Sequence, residues 1–273
     1  MSWLDEVKNG DRFGFGKNWS NFLENLSDEQ IENAKRELIK WLGGDNLNGK
    51  TFLDIGCGSG LHSLAARMLG ASVYSFDYDL ESVECAKYLK NKYFKNDENW
   101  KIEQGDVLDE KYLVKLGKFD IVYSWGVLHH TGDMWKALKN VIIPLKQNGI
   151  LFIAIYNTQV YWTKYWKFVK RTYNKSLIWR VFWISFYFTF NTLKGGIKDI
   201  LLLKNPLSRY KEYKQNRGMS LYHDLIDWLG GYPFETAKPE EMFDFYHSRG
   251  FELKKLYTAN GGIACNQFVF KRV

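Results

Sequence analysis

The sequence predicts an α/β protein: a doubly wound, mostly parallel seven-stranded sheet with an antiparallel C-terminal hairpin and a helical insertion before it. Short apolar runs alternate with helical patterns over residues 51–156, and a glycine-rich turn follows the first run. Two strand-like runs, 251–258 and 265–271, are joined through Asn260-Gly261-Gly262, which is a hairpin signal.

The elements follow in order. Ser27 and Gln30 form a capping box, and Ile31, Ala34, Leu38 and Trp41 then repeat at helical spacing until Gly43 and Gly44. Residues 51–55 are an apolar strand, and Leu61, Leu64, Ala65 and Met68 mark a helix that stops at Gly70. The unit recurs as a strand over 71–76, a helix over 80–89 and an alternating strand over 100–104. Residues 119–123 and 150–156 supply two more strands, separated by a helix expected to carry Trp135, Leu138, Val141 and Ile142 on one face. Parallel neighbours require such crossovers.

At 273 residues, 45% of them hydrophobic, the chain has material for a sizeable core. One domain over 1–273 is favoured, with an N-terminal arm and helix over 1–47 and a helical, basic and aromatic insertion over 158–235 as an acceptor-side lid. The first ten residues have neither the basic start nor the apolar run of a signal peptide, so a cytoplasmic protein is expected. Cys57, Cys85 and Cys265 lack CxxC or histidine-rich spacing, so no disulfide framework and no metal site is expected. The net charge of +7 is uneven: over 158–217, 13 Lys and Arg face only Asp199 and Glu212, a local +11 that leaves −4 for the remainder.

The most informative stretch is Phe52-Leu53-Asp54-Ile55-Gly56-Cys57-Gly58-Ser59-Gly60. Glycines at the end of a first strand permit positive φ and let the backbone approach a ligand, and a carboxylate at Asp54 suits an amino-bearing, cationic one. A dinucleotide fingerprint would want its third glycine where Leu61 stands. The stretch resembles motif I of the class I (Rossmann-like) S-adenosylmethionine-dependent methyltransferase superfamily. Three further segments fit the resemblance: Asp77, 17 residues after Gly60; Gly105-Asp106-Val107 after the third strand; and Ser124-Trp125-Gly126-Val127-Leu128-His129-His130 after the fourth. It covers roughly residues 48–157 and the final hairpin.

The resemblance implies S-adenosylmethionine as cofactor. It places Asp54, Gly56, Gly58 and Gly60 at the methionine end, Asp77 at the ribose and Asp106 at the adenine, with Cys57, Tyr78, Val107 and Trp125 beside them. Taken alone, Asp79 also reads as a helix N-cap and Asp106 as a solvated turn residue.

A sulfonium is already an activated electrophile, so an enzyme using it mainly positions the acceptor in line and excludes water. An alcohol acceptor benefits from a base, and His129 and His130 stand at the carboxyl edge of the sheet as candidate catalytic residues. Either also reads as a helix cap or a filler of a hydrogen-bond slot. Tyr156, Tyr222, His223 and Glu235 are candidate acceptor contacts. Leu221, Leu225 and Trp228 form one helical stripe that leaves His223, Asp224 and Asp227 elsewhere on the wheel. Residues 12–19 read as a lid over the donor or as an arm on the sheet edge. The amino-methylation motif Asp/Asn-Pro-Pro-Tyr is absent at 124–127, and Ser124 stands where catechol-type enzymes carry a metal-binding aspartate.

Residues 161–171 interleave aromatics with cations, and the apolar run 177–193 is too short and, with Arg180 inside it, too charged for a membrane span. A helical hairpin over the acceptor side is the leading reading, beside peripheral docking on an anionic membrane at its inner face and recruitment of RNA. The expected function is O-methylation of a small-molecule, glycan-linked or nucleotide-linked acceptor, anionic to match the local +11. The alternatives are a tRNA or RNA methyltransferase and a non-catalytic nucleoside-binding module.

Overall fold

The computed structural model describes residues 3–203, 205, 221–262 and 264–273. Seven strands, β1 (Thr51–Ile55), β2 (Ser72–Asp77), β3 (Trp100–Gln104), β4 (Phe119–Trp125), β5 (Leu145–Tyr156), β6 (Phe251–Tyr257) and β7 (Cys265–Arg272), form one sheet in the order β3-β2-β1-β4-β5-β7-β6. The first five are parallel, and β7 runs antiparallel between β5 and β6. The chain order reverses between β1 and β4, so a crevice opens at their carboxyl ends.

Helices cover both faces. On one, α3 (Asp28–Leu42), α4 (Leu61–Met68) and α5 (Leu80–Tyr93) bury Leu38, Leu64 and Leu89 against Phe52, Trp100 and Phe152. On the other, α6 (Glu110–Lys115), α7 (Met134–Asn140) and α11 (Pro239–His247) bury Leu113, Leu138 and Tyr246 against Leu53, Leu151 and Phe270. Each such side chain contributes roughly 1.5–3 kcal/mol of transfer free energy. α1 (Trp3–Lys8) and α2 (Gly16–Glu24) form the N-terminal arm, and α8 (Val160–Lys175), α9 (Leu177–Leu201) and α10 (Leu221–Gly230) the insertion between β5 and the hairpin. The insertion has its own apolar centre in Trp166, Val169, Trp183 and Leu229. No helix among the described residues is long and apolar enough to cross a membrane.

Local chemistry fixes several ends. The Ser27 Oγ accepts the Gln30 N–H at 3.3 Å while Gln30 Oε1 accepts the Ser27 N–H at 2.8 Å, the capping box expected at the start of α3. Asp120 accepts the Thr51 N–H, the Thr51 hydroxyl and the Lys146 ammonium, pinning the start of β1 to β4 and β5. Those donors hold its carboxyl down at about 2.

Three boundaries differ from expectation. β5 begins at Leu145, five residues before 150, because Leu145 pairs with Phe119 across a bulge although Lys146-Gln147-Asn148-Gly149 reads as a turn. α5 runs four residues past 89 because Tyr93 continues the helical stripe against the core. α7 ends at Asn140, and Trp135 faces outward against Phe245 at 5.3 Å between ring centroids rather than sharing the buried face of Leu138. Ser27→Ala should lower the free energy of unfolding by about 1 kcal/mol, read from the urea midpoint at unchanged slope.

Candidate active site

The crevice at the carboxyl ends of β1 and β4 is a cavity of about 820 Å³, within the range of ligand sites. Its floor is the turn after β1. Gly56 has φ +74° and a Cβ there would lie 2.3 Å from the Val127 side chain; Gly58 has φ +52° and a Cβ would strike the Trp19 indole. Neither position has room for a side chain, so backbone lines the cavity. Gly60 instead starts α4 against Ala86 of α5 and does not border the cavity.

Asp54 and Asp77 face this space from neighbouring strands. Asp54 is 2% exposed and takes the Ser63 hydroxyl at 2.5 Å. Ser63 has a single proton and gives it to Asp54, so Ser75 must donate to Ser63 at 2.6 Å and Trp100 Nε1–H to Ser75 at 2.9 Å. This relay runs from β3 through β2 to α4 and fixes the carboxylate. Burial outweighs the Ser63 bond and pushes the Asp54 carboxyl up to about 6.

Asp77 accepts the Gly58 N–H through one oxygen and the Asp79 N–H through the other, each at 2.9 Å. Burial, opposed by those two bonds, lifts its carboxyl to about 7. Two inward-facing carboxylates with raised proton affinity are what a ligand carrying an ammonium and vicinal hydroxyls would satisfy, and S-adenosylmethionine carries both. Tyr78, Asp106, Val107, Cys57 and Trp125 complete this half of the wall. Asp106 also accepts the Leu108 N–H at 2.8 Å, and Asp79 is the N-cap of α5.

The arm roofs the cavity. Arg12 donates to the carbonyls of His130 at 2.7 Å and Thr131 at 3.1 Å, pairs with Glu6 and lies over the Tyr78 ring. The Gly16 N–H goes to Asp79 at 2.9 Å and the Asn18 amide to Asp227 at 2.5 Å. Phe13, Phe15 and Trp19 of this arm line the space.

The structure separates the two histidines. His130 belongs to the wall, and its Nδ1 lies 2.7 Å from the Pro233 carbonyl, which can only accept. The proton therefore sits on Nδ1 and Nε2 carries a lone pair. Burial and the nearby Lys170 ammonium depress its pKa to about 3, so the ring is neutral. His129 is fully buried behind it, with rings 4.4 Å apart. Its Nδ1 accepts the Tyr156 N–H at 3.4 Å, and its Nε2 has no hydrogen-bond partner among the described residues. Burial depresses its pKa too.

Of the expected acceptor contacts, Tyr156 lines the cavity. Glu235 lies outside the wall, where it accepts the Met134 N–H at 3.0 Å and caps α7. Tyr222 is 44% exposed, edge-on to Phe188. The side chain of His223 lies outside the described residues. Asp224, Asp227, Trp228 and Trp166 join the wall instead. The i, i+3, i+4 spacing of Asp224, Asp227 and Trp228 on α10 marks a common face, but only the packing of α8, which carries Trp166, on α10 turns that face inward. Among the described residues of 158–205 no Lys or Arg lines the cavity, so their positive charge is not turned toward it.

A family described as a methyltransferase domain matches residues 46–204. The chain is similar to the ubiquinone biosynthesis O-methyltransferase of Pelagibacter ubique, 34% identical over 141 residues that cover 50% of this chain and 55% of that protein. It is also similar to the tRNA U34 carboxymethyltransferase of Campylobacter concisus, 28% identical and covering 55% of this chain and 53% of that one. The chain thus spans about half the length of these curated relatives. Among solved structures, magnesium protoporphyrin IX methyltransferase from Synechocystis PCC 6803 with bound SAH has the same fold, at TM-score 0.54 and 16% identity over 94% of this chain and 95% of that one.

A ligand whose vicinal hydroxyls donate to Asp77 would bind with an affinity that depends on pH. Ribose hydroxyls donate to the ionised form, so S-adenosylmethionine affinity should be full above about pH 7 and fall by up to about tenfold per pH unit below it. Without ligand the sign is opposite: a carboxyl raised from 3.8 stabilises the fold most below that value, and that contribution is lost as pH rises through about 7. Titration calorimetry across this window checks the first and thermal melting the second. Asp77→Asn should flatten both profiles, and Asp77→Ala should weaken donor binding roughly 10- to 100-fold.

Proposed function

The chain belongs to the methyltransferase-domain family, and on that premise we propose that it moves a methyl group from S-adenosylmethionine to an oxygen of a small, largely apolar hydroxylated acceptor. The observation that carries this reading is the asymmetry of the cavity. Asp54, Asp77 and Asp106 gather where β1, β2 and β3 end, while Phe15, Tyr156, Trp166 and Trp228 cluster on the His130 side, where Asp224 and Asp227 also reach the wall and Asp227 is held by the Asn18 amide. Aromatic walls bind flat apolar groups and exclude water, and the imidazole of His130 supplies a polar group for the hydroxyl of such an acceptor.

When bound, the donor supplies an electrophilic methyl on sulfur, and the C–S electron pair returns to sulfur as the C–O bond forms. The protein's part is placement and proton transfer. Asp54 and Asp77 hold the ammonium and ribose ends, and the arm shuts out water through Arg12 and Asn18. His130 Nε2 takes the hydroxyl proton as the C–O bond forms, when alkylation has made that proton acidic enough for a ring whose basicity burial has lowered, and the Pro233 carbonyl sets the tautomer. His129 acts behind it as a packing partner of His130 and Tyr156. The oxygen acceptor also agrees with the name of the Pelagibacter ubique relative. Glycan-linked and nucleotide-linked acceptors have less support, because no described cation of the insertion reaches the cavity.

His130→Ala should lower turnover on the order of 10²-fold or more while leaving calorimetric donor affinity within about twofold. His129→Ala should instead lower thermal stability. The direct test feeds labelled donor and a panel of phenols, quinols and RNA to the purified protein and locates the label by mass spectrometry. Label on a phenolic oxygen is the expected result, and label confined to RNA would overturn the reading.

A further inference from the structure

We infer that the outer face of α9 seats the protein on an anionic lipid bilayer. This goes beyond the methyl-transfer reading and does not rest on it. Ile178, Phe182, Phe186, Phe190, Leu193 and Ile197 follow one another at spacings of three and four residues, so they form one stripe along the helix. At 1.5 Å per residue the stripe extends for about 30 Å. All six face solvent, and the three phenylalanines, 47–52% exposed, stack in a ladder with centroids 6.2 and 6.3 Å apart. The opposite face of the helix is already engaged, through Trp183 and Tyr187, with α8. A solvent-facing apolar stripe of this length is an interaction surface.

Charge selects the occupant. Lys164, Lys167, Arg171, Lys175, Arg180, Lys194 and Lys198 are exposed along α8 and α9, whereas the one acid of these helices, Asp199, is buried. Among the described residues of 160–203 there is therefore no exposed negative charge beside the stripe. An amphipathic helix with aromatics on one side, cations along its flanks and no capacity to cross the membrane is the form that lies in a bilayer interface. Apolar side chains enter the acyl boundary while the lysines stay among anionic headgroups, each adding about fivefold to the affinity. RNA would leave the apolar stripe in water, and a second copy of this chain would need acidic groups opposite the cations.

Co-sedimentation of the full chain with vesicles tests this. The protein should pellet with mixed phosphatidylcholine and phosphatidylglycerol vesicles, far less with phosphatidylcholine alone, and less as salt rises. The variant combining Phe182→Ser, Phe186→Ser and Phe190→Ser should lose at least about tenfold in vesicle affinity. Lys194→Glu with Lys198→Glu should lose binding to anionic vesicles while keeping all three phenylalanines. Unchanged melting temperature and calorimetric donor affinity in both variants would establish that the fold is intact. The inference is overturned if the protein pellets with neither vesicle, if both variants bind like the parent, or if the stripe instead mediates self-association that the serine variant abolishes.

Discussion

Two carboxylates that have been taken out of bulk water at the carboxyl edge of the sheet set the terms for the rest of the molecule. Asp54 and Asp77 sit where β1 and β2 end, each with its proton affinity raised by burial. Neither has a cationic side chain as its hydrogen-bond partner; a serine hydroxyl holds one and two backbone amides hold the other. Buried charge without a counter-charge is costly, and here the deficit is left for a ligand to fill. A ligand with an ammonium and paired hydroxyls gains most from such a site, so binding of such a ligand and local stability trade against each other.

Several other features become intelligible from that constraint. The relay from Trp100 through Ser75 and Ser63 exists inside an otherwise apolar core because it aims the Asp54 carboxylate. The turn after β1 keeps side chains away at Gly56 and Gly58, so that backbone lines the same region. The arm then seals the crevice with bonds to its far side, since Arg12 reaches the carbonyls of His130 and Thr131 and Asn18 reaches Asp227. A roof that keeps water from part of the crevice strengthens the electrostatic contacts beneath it.

What the sequence made legible follows from which signals are local. Strand and helix identities came from periodicity, because β1 and β4 are buried on both faces and read as unbroken apolar runs. That Asp54, Asp77 and Asp106 line the crevice follows from their places at or just past the strand ends. Long-range packing was not. Nothing in the spacing of His129 and His130 says that one meets the cavity and the other lies behind it, for they are adjacent in a single turn of 3₁₀-helix. Asp227 reads as one more acid on a polar face until the arm brings Asn18 to it. Trp135 seemed part of a buried stripe, yet α7 is only seven residues long and too short to enforce its periodicity. The start of β5 was hidden by a polar stretch whose pairing depends on a bulge.

The largest reinterpretation concerns charge. A local +11 beside the cavity invites the reading that the cations receive an anionic ligand. The fold opposes it: the inner sides of α8 and α10 present Trp166, Trp228, Asp224 and Asp227 to the cavity, and the lysines and arginines of α8 and α9 face outward, save Lys170. Lys170 shows why the segment could not carry its charge inward. It is fully buried against the Trp228 ring, donates to the Trp228 carbonyl, and has its pKa driven down by desolvation to about 7, giving up much of its cationic character. A charge kept outside stays in solvent and available to a surface, so the same insertion lines an aromatic cavity wall on one side and presents a cationic, aromatic face on the other.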